Sequence, residues 1–408
     1  MSTTPATDET APSQASAFIT GNATIVPSTQ RFQIEFTGSG SEYFRIWIVN
    51  LLLMLVTFGL YYPWAKVRKL RYFHGNTVIA GHALDFHGDP RKMLRGFLLM
   101  SALMMAYSMA GQLSPTAGTV AAVIMMGLWP ALFRASLQFR LANTSWRGLR
   151  FAFKGDLKES YKTFFMPVVA LGALGLLCLG LIPILLASWA PIGWGIGGIL
   201  MVIGAVLLLP YCLWQLKAYQ HRNYAYAQLQ TEFRASAKDV MGVFNRTGGM
   251  AVVGFLGALA ASALVFGLGV WGAPDSVTPS KPNMAVLKAV IPAMLIFILL
   301  SQTITAPYFT SRMQNLVWSR TGNRWVRFKS ELSFFRLLAL TLKNWVLVIC
   351  TLGLYWPFAA VAMTRLKLHA VSVHMRISPD LLVAQARGQH QDAAGDAAAD
   401  LLGIDLGL

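Results

Sequence analysis

The chain has 408 residues, of which 55% are apolar and only 12% charged, yet its net charge is +17. Soluble domains carry about 25% charged residues. That composition, with apolar runs recurring at bilayer length, excludes an ordinary soluble domain and predicts a polytopic helical membrane protein, so the positive charge is not read as a nucleic-acid footprint.

Residues 1–30, rich in Ser, Thr, Ala and Pro, are expected to be disordered, and no cleavable signal peptide is visible. A membrane domain is expected over 31–379 and a flexible, Asp-rich tail over 380–408. Apolar segments fall near 44–62, 97–112, 117–133, 164–188, 191–214, 248–272, 286–306 and 337–358. Lys and Arg concentrate in 64–96, 131–163, 211–247 and 308–343, whose combined excess over acids is larger than the net charge of the whole chain. The connections at 111–117, 188–194 and 272–284 are short and nearly neutral. This is the positive-inside pattern, and it places the four basic segments in the cytoplasm.

Those basic segments share a spacing. Pro63, Asn76 and Phe86 stand 13 and 10 residues apart, as do Pro130, Asn143 and Phe153, and Pro210, Asn223 and Phe233. A weaker fourth copy from Pro307 to Phe328 is two residues shorter and lacks the Asn. The Pro kinks or ends the inward-running helix, and Gly75-Asn76 is a helix stop. Period-two alternation around Gly81 or Gly148 then predicts a β-hairpin, and the next helix starts after Phe-x-Gly. Cytoplasmic modules are therefore expected at about 63–90, 130–157, 210–237 and 307–331 as an internal repeat. At the ends, Phe32, Ile34 and Phe36 alternate as a second strand without a first, and Val371, Val373, Met375 and Ile377 as a lone closing strand.

The interval from the Phe to the next Pro holds 44, 57 and 74 residues in the three inner units, enough for two spans each, but only 27 from Phe36 to Pro63 and 29 from Phe328 to Pro357. Two spans need about 40 helical residues. Two readings stay open: six full spans plus two short terminal elements that re-enter the membrane, or eight plain transmembrane spans. The short units carry one phrase, Thr57-Phe58-Gly59-Leu60-Tyr61-Tyr62-Pro63 and Thr351-Leu352-Gly353-Leu354-Tyr355-Trp356-Pro357.

The stretch from Phe36-Thr37-Gly38 through Tyr43-Phe44, Asn50, Thr57, Gly59, Tyr61 and Pro63-Trp64-Ala65 to the Arg/Tyr run resembles the YjgN-like family of bacterial inner-membrane proteins. Over about 31–379 the resemblance is chiefly one of layout, and the last copy departs from the phrase, with Phe358 for Trp64, Ala360 for Lys66 and Ala362 for Arg68. It implies a multi-pass protein of the inner membrane and supplies no substrate and no catalytic residue.

Asn50 and Asn344 each lie seven residues before the Thr of the repeated phrase. A buried amide in an apolar helix serves a helix interface or lines a solute path, and Asn50, Thr57, Gly59, Lys343, Asn344, Thr351 and Gly353 are the residues such a path would use. Arg45, Arg336 and Lys343 are cations in or beside the terminal units. His74, His82 and His87 cluster with Asp85 and Asp89 without metal-ligand spacing, and Cys178, Cys212 and Cys350 form no CxxC pair. No catalytic or nucleotide-binding motif is present, so no enzyme, metal or cofactor is expected. The partners expected are the lipid bilayer and anionic head groups at the basic modules. Function reduces to a channel or transporter for a small solute, or a scaffold acting through the β-hairpins.

Overall fold

The computed structural model describes residues 29–186, 190–271 and 284–386. The disordered segment expected at the N-terminus lies outside the described residues up to residue 28, and so do 387–408 of the tail.

The strands are β1 (Gln30–Phe36), β2 (Thr77–Ile79), β3 (His82–Phe86), β4 (Thr144–Trp146), β5 (Leu149–Phe153), β6 (Tyr224–Tyr226), β7 (Leu229–Gln230), β8 (Glu232–Phe233), β9 (Thr321–Gly322), β10 (Val326–Ser330) and β11 (Val371–Met375). The helices are α1 (Gly40–Val56), α2 (Tyr62–Gly75), α3 (Pro90–Leu113), α4 (Pro115–Ala142), α5 (Leu157–Gly175), α6 (Ile182–Leu185), α7 (Ala190–Arg222), α8 (Ala237–Trp271), α9 (Met284–Ser319), α10 (Phe334–Cys350) and α11 (Trp356–His369). A π-helical stretch, Leu176–Leu181, joins α5 to α6.

The expected hairpins join with the terminal strands into one antiparallel sheet of order β7-β6-β5-β4-β3-β2-β1-β11-β10-β9-β8. Its two outer members, β7 and β8, are separated only by Thr231, so one extended segment pairs with β6 at its start and with β9 at its end. The sheet therefore closes on itself as a barrel-like ring, which removes the free edges an open sheet would expose.

Three long strands, β1, β3 and β5, split their pairing in the same way. His82 and Ala83 pair within their own hairpin, whereas Leu84, Asp85 and Phe86 pair with β4. The residue after each long strand donates its backbone N–H to the carbonyl just before the next short strand: Thr37 to Asn76, His87 to Asn143, Lys154 to Asn223, Arg234 to Arg320 and Glu331 to Ala370, all at 2.8–3.0 Å. The pairing also corrects the register expected near β10. Ser330, opposite Val371, holds the place that Phe36 holds opposite Thr77 and Phe86 opposite Thr144. Pro307 to Ser330 thus has the same length as Pro63 to Phe86, with Arg320 where Asn76 would stand. Phe328 instead packs with Trp318, Val373 and Ile34 inside the ring.

The inside of the ring is filled. Ile34, Trp146, Val371, Val373 and Met375 form one buried cluster with Phe32, Ile79, Leu84, Phe151, Tyr226 and Phe328, which come from strands all around the circle. Such interdigitation makes a packed core rather than a lumen. The stretch 379–386, expected as the start of a flexible tail, is helical, with Leu382, Val383 and Ala386 buried. Asp380 forms an ion pair with Arg147 in the β4–β5 turn, nearly opposite β11 on the circle, so this segment lies across one mouth of the ring. Burial of its apolar side offsets the ordering entropy that the composition alone did not reveal.

Four helices are long and apolar enough to cross a membrane among the described residues: Pro90–Leu113, Pro115–Ala142, Leu157–Leu185 and Ile192–Arg222. The other two of the six expected spans fall in α8 and α9, helices of 35 and 36 residues in which many side chains lie outside the described ones. β1 pairs with β2 and β10 with β11, so α1–α2 and α10–α11 each leave the sheet and return to it.

Candidate functional site: the paired short hairpins

The two short units are helical hairpins of matching construction. Each leaves the sheet in a 17-residue helix, α1 or α10, and returns in a 14-residue helix, α2 or α11. They are neighbours in the circle, because α11 packs on α1. Phe358 lies 5.7 Å from Phe44 between ring centroids, and Arg365 donates to the Gly38 carbonyl at 2.7 Å.

The repeated phrase builds the reversal. Phe58 and Gly59 have φ of 48° and 87°, and Leu352 and Gly353 have 50° and 91°. A φ near +90° strains any side chain, which explains the glycine at the second position of each turn. Space is not the reason, since an added Cβ would meet nothing within 4 Å at either site. The threonines satisfy the backbone. Thr57 donates to Leu53 O at 2.7 Å and accepts from Tyr61 N–H at 3.0 Å; Thr351 donates to Leu347 O at 2.7 Å and accepts from Tyr355 N–H at 2.9 Å. The tips are apolar and bare, with Phe58 98% and Leu352 94% exposed. Internal satisfaction of backbone groups beneath an apolar tip is what a turn inside hydrocarbon demands.

One side chain on each outgoing helix runs against this economy. Asn50 and Asn344 are buried, at 5% and 6% exposure. Asn50 Oδ1 and both Oδ1 and Nδ2 of Asn344 have no hydrogen-bond partner. An unsatisfied buried polar group costs about 1–3 kcal/mol. Lys343, beside Asn344, is exposed and does not join it, and Arg45 and Arg336 are likewise on the surface.

The spacing residues hold the frame. Pro130, Pro210 and Pro307 are buried inside α4, α7 and α9. Pro63 and Pro357, expected to kink or end the inward-running helix, are instead buried in the first turn of α2 and α11, where a missing N–H costs nothing. Asn76, Asn143 and Asn223 stop their helices by donating Nδ2 to the carbonyls of Tyr72, Phe139 and Tyr219 at 2.7–2.9 Å. Phe86, Phe153 and Phe233 are buried. The Phe86 and Phe153 rings lie where a Cβ on Gly88 or Gly155 would be, which accounts for the Phe-x-Gly pattern. At the foot of the first hairpin, Tyr72 donates to Ser39 O at 2.7 Å and Glu42 Oε2 at 3.2 Å, and burial followed by Glu42 pushes its pKa up to about 12.

The histidines scatter. His74 bonds Leu70 O, His82 bonds Ala80 O and His87 bonds Ser145 Oγ. Among the described residues no three His, Cys, Asp or Glu side chains converge as a metal site would require. Two residues not singled out from sequence anchor the ring. Trp146 donates its indole N–H to Ile79 O and His82 O, and His221 meets Thr321 Oγ1 at 3.0 Å where the circle closes. Their signal was weak, since Trp146 is a lone aromatic in a three-residue strand and His221 is one histidine in the last turn of a long helix.

Residues 31–401 match the family model described as "Bacterial protein of unknown function (DUF898)". The chain belongs to this family. It is 29% identical over 136 residues to Inner membrane protein YjgN of Escherichia coli (strain K12), covering 33% of this chain and 34% of the relative. To the protein of the same name from Salmonella typhimurium it is 27% identical over 143 residues, 35% of this chain and 36% of the relative. The chain thus spans about a third of the length of the curated relatives it matches. No solved structure matches. The relatives are named as inner-membrane proteins, and four helices of this chain among the described residues are long and apolar enough to cross a bilayer.

Proposed function

We propose that this family member is a multi-pass channel or transporter for a small solute, with its ring on the cytoplasmic side. Six full spans, α3 to α9 with α5 and α6 counted as one, would surround the path, and α1–α2 and α10–α11 would be re-entrant hairpins. The basic segments flanking the ring favour that orientation and would meet anionic lipid. The recurring Pro, strand and carbonyl geometry supports an internal repeat of five units, the last completed by both chain ends.

One observation carries the reading: Asn50 and Asn344 hold unpartnered amide atoms at matching, buried positions of adjacent hairpins. Retaining such a cost twice fits a role in which the amides are paired by something that comes and goes. An amide offers both donor and acceptor, so a neutral hydroxyl- or amide-bearing solute suits it. The alternative, a scaffold acting through its β-hairpins, loses support because the closed ring offers no free strand edge. What favours it is an apolar groove of about 220 Å³ between α4 and α5, lined by Met125, Met126, Trp129, Phe164, Phe165 and Val168.

Permeability of proteoliposomes to glycerol and urea, followed by stopped-flow light scattering, tests the path. The wild type is expected to exceed empty vesicles, and the double variant Asn50→Leu, Asn344→Leu is expected to fall to their level while remaining folded. Equal permeability of variant and wild type, or none in either, overturns the solute path.

A further inference from the structure

Where α10 rises from the ring there is a recess of about 280 Å³, lined by residues of β1, the β10–α10 joint, the end of α11 and β11. Its polar lining includes Arg31, Gln33, Glu331, Ser333, Arg336 and His369. The one carboxylate there is already engaged: Glu331 pairs with Lys329 at 2.6 Å. Arg31 and Arg336 have no ion pair or hydrogen bond among the described residues, although Arg31 contributes to the field at Glu331. His369 Nε2 accepts the Phe36 N–H at 3.2 Å, and the Gln33 side-chain amide donates to the His369 carbonyl at 2.9 Å. The Ser333 hydroxyl makes no capping bond to its helix. The recess thus gathers two guanidinium groups and the Ser333 hydroxyl around a space large enough for a tetrahedral anion.

We propose that this recess binds a phosphate-bearing anion, with Arg31 and Arg336 as its forked donors. Planar guanidinium groups match pairs of phosphate oxygens, which a lysine pair would not. Phe335, next to Arg336, is 77% exposed at the start of a helix that rises into the apolar zone, so a phospholipid head group could enter with its chains beside that ring. Free phosphate offers the same chemistry from the water side. This deepens the lipid contact proposed above and does not depend on the solute path, so either can fail alone.

The full chain, purified in detergent, is exposed to phosphatidylglycerol and, separately, to inorganic phosphate; retained lipid is counted by native mass spectrometry and phosphate binding by calorimetry. The double variant Arg31→Gln, Arg336→Gln is expected to lose affinity about tenfold or more, and Arg150→Gln, an exposed arginine elsewhere on the ring, to lose none. If the double variant does not fold, the single variants are each expected to lose about threefold. Loss confined to the lipid arm identifies a head group as the ligand, and loss confined to the phosphate arm identifies a free anion. Unchanged binding in both arms, or an equal loss in Arg150→Gln, overturns the site.

Discussion

Replacing Trp146 tests whether the ring encloses a packed core. Its side chain is 4% exposed, and its indole N–H donates to Ile79 O at 3.2 Å and His82 O at 3.3 Å. The ring centroid lies 5.5 Å from that of Tyr226, and the Arg147 guanidinium sits over it at 5.2 Å. Truncating a buried aromatic to Ala costs about 3–5 kcal/mol through lost burial and the cavity left behind. Trp146→Phe keeps most of the apolar area and loses chiefly the shared N–H bond, about 1 kcal/mol. Urea unfolding in detergent, followed by circular dichroism, should rank the wild type above Trp146→Phe and that above Trp146→Ala. The exposed Arg150→Ala should lie within about 0.5 kcal/mol of the wild type. A Trp146→Ala variant as stable as Arg150→Ala would mean that the indole faces water, and the claim of a filled ring would fall.

Other perturbations probe the hairpins and the mouth of the ring. Gly59→Ala and Gly353→Ala should each cost about 1 kcal/mol in thermal unfolding, from backbone strain alone since the added methyl meets nothing; no change at either would contradict the positive φ. Thr57→Val and Thr351→Val remove the acceptor for Tyr61 and Tyr355 N–H and should each cost about 1 kcal/mol in the same assay. If the tips re-enter the bilayer, Phe58→Cys and Leu352→Cys should resist a membrane-impermeant maleimide from both sides and yet be reached by a lipid-soluble one. Labelling of either from the periplasmic side would show a crossing. A double-mutant cycle on Arg147 and Asp380 should give a coupling below about 1 kcal/mol that weakens with salt, because the Asp380 side chain is 85% exposed.

Features written in local spacing were legible before any coordinates. The helix-stopping asparagines, the Phe-x-Gly turn and the alternation of the terminal strands each follow from neighbours within a few residues. The shortness of the first and last units was also legible, but it left a reversal at Gly59 and Gly353 and a plain crossing both open. Closure of the sheet was not. β1 and β11 are hundreds of residues apart, and no local period encodes how many strands complete a circle. The register near β10 was misread because Arg320 and Ser330 replace the two residues that mark the pattern elsewhere. Ser330 keeps its place through the backbone ladder, which is blind to side chains. The helix at 379–386 escaped notice because its buried side chains, Leu382, Val383 and Ala386, make too short a run to show a period. Asn50 and Asn344 were visible as polar residues in apolar helices, but a sequence cannot show that their amides lack partners.

The joint between β1 and β11 has a consequence for how such a molecule is made. Of the ten joints in the circle four are hairpins that form as soon as their residues emerge and five pair strands across one helical unit, but the tenth is assembled from β1 and β11, the first and last of the described strands. The hoop stays open throughout translation, and β1 must wait for a mate that arrives last, with the loop-closure cost that so long a separation carries. A circle joined this way has no intrinsic beginning. Cutting it at the β2–β3 turn and linking the old ends would leave every pairing intact, so a circularly permuted gene should yield the same ring and differ only in which strand is kept waiting.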